Sequence, residues 1–284
     1  MQLEPLFATQ VSTHMISRIM RENGKPWRRV LRKIKLTQEK KDWRVSWCKS
    51  MNRKYSKEFF EKNVLVVDEH TFKFHNSQNA KKVARSFTKT GGYMDAEEKV
   101  ERPAASRYKH RQGYTSVKFA VTVGNGKIRT MDYYQGDLTK EEYVQFFDNS
   151  WLPAMEEMAK ENKCETDEIY FYRDNDPKSR DTCYEALLKK YANLKVILQP
   201  VDSPDVNCLD YSIWNKIEKT LIDQDEEYEA RTGKQWKETI HDFFNRVTFA
   251  FWSLDEQYIR HTMGSVKRRF KDIIDREGDI LPHD

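Results

Sequence analysis

The chain has 284 residues, enough to bury a full core in one large domain with an appendage, or in two domains. Charged residues make up 33% and no apolar run approaches the ~18 to 20 residues of a membrane span, so no membrane partner is expected. Cys48, Cys164, Cys183 and Cys208 form no CxxC pair, which argues for a reduced intracellular protein without structural zinc. The opening MQLEPLFATQ lacks the basic-then-apolar pattern of a secretory signal.

The net charge of +5 hides a split. Residues 21–57 carry fourteen Lys/Arg against three acidic residues, a surplus of +11, so the remainder sums to −6. A basic segment on a mildly acidic body points to a polyanion partner, or else to a solvated, salt-bridged helix face.

In chain order, VSTHMISRIMRENG reads as a short capped amphipathic helix ending at Gly24. Thr37 is placed to cap a helix carrying Trp43, Trp47 and Met51 at core spacing. Residues 63–67 form an apolar strand that stops at Asp68-Glu69. Residues 73–113 have little periodicity and are long for a simple connection, so a functional loop is expected there. A β-hairpin follows, turning at Gly124-Asn125-Gly126. Next comes a long helix from about Thr139, bent near Pro153. A strand at 168–173, a helix at 180–193, a strand at 194–200 and a helix through Ile213, Trp214, Ile217 and Leu221 come next. Helical stretches at 235–252 and 255–276 complete a mixed α/β order, helices packing on a central sheet. Trp214, Ile217 and Leu221 are expected in the core.

Two apolar strands thus terminate in carboxylates, Asp68 and Asp174, and a third, Asp210, lies in the first turn of a later helix. If the strands are neighbours, Asp68 and Asp174 face each other and Asp210 reaches the same point. Three carboxylates so placed repel one another unless protonated or bound to cations. Hard oxygen ligands without thiolate or paired imidazole select Mg²⁺ or Mn²⁺, and two such ions ~3.5 to 4 Å apart suit phosphodiester chemistry. The opposing reading is that these are turn and capping aspartates. His70 and His75 form only a weak metal signal; Asp176, Asp202 and Glu69 read as structural, and Asp205 and Asn207 as caps.

VVDEHTF, YRDNDPKS and SPDVNCLDYSIW, in that order, resemble the three catalytic blocks of the Tc1/mariner transposases. The terminal YIRHTMGSVKRRFKDII is similar too, and the resemblance spans roughly residues 9–275. It implies an α/β, ribonuclease-H-like mixed sheet flanked by helices, with a short helical basic N-terminal segment. Asp68, Asp174 and Asp210 match the metal triad in its mariner-like, all-aspartate form, with thirty-five residues between the last two. Ser179 and Cys208 stand where the family carries histidine and proline. The resemblance further implies two Mg²⁺ or Mn²⁺ ions, double-stranded DNA as partner (transposon ends and target), a homodimer on DNA and a nuclear location. It divides the chain into a helix-turn-helix remnant (1–24), a basic linker and helix (25–62) and a catalytic domain (63–284) with an inserted loop (73–113). A ribonuclease-H-like nuclease and a domesticated DNA-binding relic are the competing readings.

Overall fold

The computed structural model describes residues 19–20, 22, 27–29, 36–75, 91–93, 114–175, 185–234 and 236–281. They belong to two units, one formed from residues 1–35 and 77–112, the other from 36–76 and 113–284. In the first unit, Ile19, Met20 and Glu22 are helical. Strand β1 (Trp27–Arg29) pairs there with β3 (Gly91–Tyr93), antiparallel, Trp27 opposite Tyr93. Most of the expected N-terminal amphipathic helix, and most of the 73–113 loop, lies outside the described residues.

The second unit opens with α1 (Gln38–Lys54), whose N-cap Thr37 accepts the Lys40 amide as its sequence predicts. Ser56 caps α2 (Lys57–Lys62) in the same way. One expectation for α1 fails: Trp43 is exposed, because the inward stripe runs through Arg44, Trp47, Cys48 and Met51. That i, i+3, i+4, i+7 stripe is the ordinary buried face of a helix.

The central sheet is built from β2 (Val64–His75), β4 (Tyr114–Gly124), β5 (Lys127–Tyr134), β6 (Tyr170–Arg173) and β7 (Val196–Leu198). Its order is β5-β4-β2-β6-β7, with the first three antiparallel and β6 and β7 parallel to β2. Asn125 and Gly126 turn the hairpin at φ 48° and 76°, the left-handed pair of a type I′ turn. Strand β2 is longer than its apolar run predicts. It passes through Asp68 and pairs with β4 as far as His75, burying Phe72 and Phe74.

Helices cover both faces of the sheet. On one lie α3 (Lys140–Phe146), a π turn (Phe147–Trp151), α4 (Leu152–Asn162) and α5 (Glu185–Lys190). Their core contains Leu65, Val67, Trp151 and Phe171. The bend expected near Pro153 is this π turn, which ends two residues before the proline. On the other face, Val64, Val66, Phe72 and Tyr172 pack with α1, α2, α6 (Trp214–Thr232), α7 (Ile240–Trp252) and α8 (Glu256–Asp275). Trp214, Ile217 and Leu221 are buried there as predicted. α7 starts later than its periodicity suggests, at a capping box between Thr239 and Asp242.

Candidate active site

Parallel pairing of β2 with β6 sets Val66 opposite Tyr172. Two residues further along each chain, the same direction delivers Asp68 and Asp174 to one end of the sheet. β6 stops there, while β4 keeps pairing with β2 and sets Asp68 opposite Val121. Asp210 arrives on the π turn Leu209–Ile213 that leads into α6. Such widened turns are rare inside helices and often occur at functional sites. Asp210 lies near enough to the Asp68 carboxyl for each to perturb the other's titration. The three aspartates therefore share one neighbourhood.

Asp68 is held at both oxygens. Its Oδ1 accepts the Glu69 amide at 2.9 Å and its Oδ2 accepts the Trp214 indole Nε1–H at 3.0 Å. Burial, followed by the charges of Asp210 and Asp174, pushes the Asp68 carboxyl well above the usual carboxylate range, with the Trp214 bond opposing. Asp210 is pushed up to about 7, first by burial and then by Asp174 and Glu69, while the adjacent Asp68 carboxyl pulls the other way. Two close carboxyls in this state titrate as a pair sharing a proton.

Strand alternation turns Glu69 to the opposite face from Asp68. There it meets a cation that the sequence reading passed over. Arg173 is buried and bonds the Tyr143 hydroxyl at 2.9 Å and Asp174 Oδ1 at 3.3 Å. Burial works against its charge, but Tyr143, Asp174 and Glu69 more than offset this and raise its pKa. Glu69 is pushed up to about 8 by burial and by Asp68, with Arg173 opposing. From that opposite face Glu69 is electrostatically linked to Asp68 and Asp174. Arg173 is the cluster's built-in counter-ion.

The loop that carries Asp210 is anchored by buried charge. Arg44 of α1 bonds both oxygens of Asp205, at 3.0 and 2.7 Å, and also Ser203 Oγ and the Gly278 carbonyl. Asp205 further accepts the Leu281 amide, and its own carbonyl accepts Arg269. The capping role expected of Asp205 is replaced by this ion pair, whereas Asn207 Oδ1 does accept the Leu209 amide. Asp202, in the left-handed region at φ 55°, pairs with Lys40, and Lys41 pairs with Asp279. Part of the basic surplus of residues 21–57 is therefore spent inside the protein, and Lys49, Arg53 and Lys54 are left exposed. Asp176 and Ser179 lie outside the described residues.

The donor chemistry fits a divalent cation. All the neighbouring groups are carboxyls, and Asp68 and Asp210 both hold a proton more tightly than a free carboxyl does, a proton that a bound cation would displace. The nearby Cys208 thiol is pushed up to about 12, first by burial and next by Asp68, so it is a neutral packing group. Among the described residues, no three Asp, Glu, His or Cys side chains are grouped so that they could hold a metal ion as they stand.

No family model and no curated protein matches this chain. Solved structures do. A crystal structure of the mariner Mos1 paired end complex with Mg shares 17% identity, with a TM-score of 0.65 over 96% of this chain and 73% of that one. The catalytic domain of Mos1 mariner transposase shares 12%, with a TM-score of 0.63 over 89% of this chain and 100% of that one. The same domain with Raltegravir and Mn aligns at a TM-score of 0.61 and 12% identity, over 88% of this chain and all of that one. The fold is the ribonuclease-H-like one of that catalytic domain.

Proposed function

We propose that this chain is the catalytic part of a mariner-like DNA transposase. Asp68, Asp174 and Asp210 would hold two Mg²⁺ or Mn²⁺ ions used to cut DNA strands and join them to a target. The observation that carries the reading is that Asp68 and Asp174 each lie two residues beyond the paired Val66 and Tyr172 of neighbouring parallel strands, with both Asp174 and Asp210 acting on the Asp68 carboxyl. The Mos1 structures with Mg and with Mn support divalent metal use in a protein of this fold. The bound ions supply activation of a water or 3′-hydroxyl and neutralisation of the leaving oxygen. The chain's own residues do the rest. Asp68 and Asp174 give the ions a rigid edge, Asp210 closes the site from the π turn, and Arg173 balances the excess negative charge.

Double-stranded DNA is the proposed partner, with transposon ends and target both engaged by a homodimer in the nucleus. The paired end and Strand Transfer complexes among the Mos1 structures support the DNA-binding part of this reading. Basic residues of the 21–57 segment would meet phosphates. A Mn²⁺-dependent nicking and strand-joining assay on duplex DNA, with Asp174→Asn alongside, tests the proposal. Cleavage and joining by the parent and neither by the variant is the expected result; strand scission that survives in the variant would overturn it.

One observation favours a second reading, a domesticated DNA-binding protein that no longer cuts: among the described residues, no three Asp, Glu, His or Cys side chains are grouped so that they could hold a metal ion. It predicts salt-sensitive DNA binding with no Mn²⁺-dependent nicking by the parent.

A further inference from the structure

Trp214 lies four residues beyond Asp210, where the π turn gives way to α6, and is 4% exposed. Its indole is fixed on several sides. His70 stacks against one face, with centroids 4.8 Å apart and planes 15° apart, while Phe251 and Phe72 meet it edge-on at 5.7 and 6.3 Å. His70 is braced in turn by Phe72 at 4.7 Å and by Glu218, with Nε2 3.2 Å from Oε1. A ring clamped in this way leaves its N–H one direction, and that direction ends on Asp68 Oδ2 at 3.0 Å.

An indole N–H only donates. It therefore stabilises the ionised carboxylate and occupies one lone-pair position of one oxygen, leaving the other positions to a cation. The Glu69 amide does the same for Oδ1, so the carboxylate plane is set from both sides. We propose that Trp214 is a positioning residue, orienting the Asp68 carboxylate for a divalent cation through its indole N–H. The inference rests on the reading of Asp68 as a metal-holding residue. His70 is assigned the supporting role of fixing the indole plane.

Outer-shell partners of metal-holding groups are worth ~10- to 100-fold in metal affinity. Calorimetric titration of Mn²⁺ into the parent and into Trp214→Phe tests the proposal without reference to catalysis. The phenylalanine keeps an aromatic ring among His70, Phe72 and Phe251 but has no donor. The expected result is Mn²⁺ binding weakened by ~10-fold or more in a variant whose circular dichroism matches the parent's. Should Trp214→Phe fail to fold, site-specific replacement of Trp214 by 3-benzothienylalanine gives the same reading, since it keeps the bicyclic shape and removes only the N–H. Equal Mn²⁺ affinity in parent and folded variant would overturn the positioning role and leave the metal reading standing. A parent that takes up no Mn²⁺ would overturn the metal reading, and the positioning role with it.

Discussion

Arg44 on α1 and Asp205, five residues ahead of Asp210, form a two-bonded ion pair whose side chains are only 1% and 2% exposed. The pair ties the first helix of the second unit to the loop before Asp210. Removing one member of such a pair strands the other charge in the core. Arg44→Met should therefore cost ~3 to 5 kcal/mol in denaturant unfolding. Adding Asp205→Leu should return part of that loss, because no buried charge then lacks a partner. A double variant no more stable than the single one would contradict this.

The acidic cluster predicts an unusual pH dependence for the metal-free protein. Asp210 titrates near about 7 instead of 3.8, and Glu69 near about 8 instead of 4.5. Their folded pKa values are raised, so across that interval the folded chain holds protons that the unfolded chain has released. Stability contributed by these groups therefore falls as pH rises from their unfolded to their folded pKa values. Urea midpoints of the parent minus those of Asp210→Asn should decline from mildly acidic to mildly alkaline pH. Mn²⁺ should flatten the decline by replacing protons with cations. A difference that grows with pH in metal-free buffer would contradict the burial of these carboxyls.

Glu161 should show the opposite sign. Arg129 bonds it with Nη1 at 3.2 Å and Nη2 at 2.5 Å, and Lys127 and Asn125 add further bonds from the hairpin. The Arg129 bond is the main reason its carboxyl falls from 4.5 to about 2. A depressed acid stabilises the fold above its unfolded pKa and loses that contribution as pH falls through the folded one. Glu161→Gln should be less stable than the parent near neutrality, with the gap closing in strong acid. A gap independent of pH would show that the guanidinium contact adds packing alone.

Arg173→Met tests the counter-ion. Without it, Glu69 and Asp174 lose their buried cation, and the Tyr143 hydroxyl loses its donor. Melting should drop by more at alkaline pH, where the cluster is ionised, than at acid pH, where it is protonated. A uniform drop would mean that Arg173 acts through packing instead.

The sequence made the skeleton of the site legible because its signals are local. An apolar run that stops at a carboxylate marked Asp68 and Asp174; Thr37 and Thr139 announced their helices, and Asn125-Gly126 its turn. The partners that hold the site were not legible, because each comes from far along the chain. Arg44 and Asp205 are 161 residues apart, and Trp214 and Asp68 are 146 apart. Helical spacing placed Trp214 in the core correctly, yet it carries no information on where an indole N–H points. Arg173 adjoins Asp174, but only its bond to Tyr143, 30 residues away, reveals that it is turned inward. Asp68 and Glu69 read as one acidic strand end, since nothing local says that β4 continues the strand and sends them to opposite faces.

Asp210 separates the metal reading from the structural one most sharply, since the first turn of a helix is also where a purely electrostatic aspartate belongs. The decisive measurement is Mn²⁺-dependent cleavage of duplex DNA by Asp210→Asn, with its metal-free melting temperature recorded beside the parent's. Loss of cleavage with melting unchanged or raised at alkaline pH is predicted, because the single carboxylate removed is the one repelled by its neighbours and, on the proposed reading, one that holds metal. Cleavage that persists, together with a lowered metal-free melting temperature, would contradict the assignment.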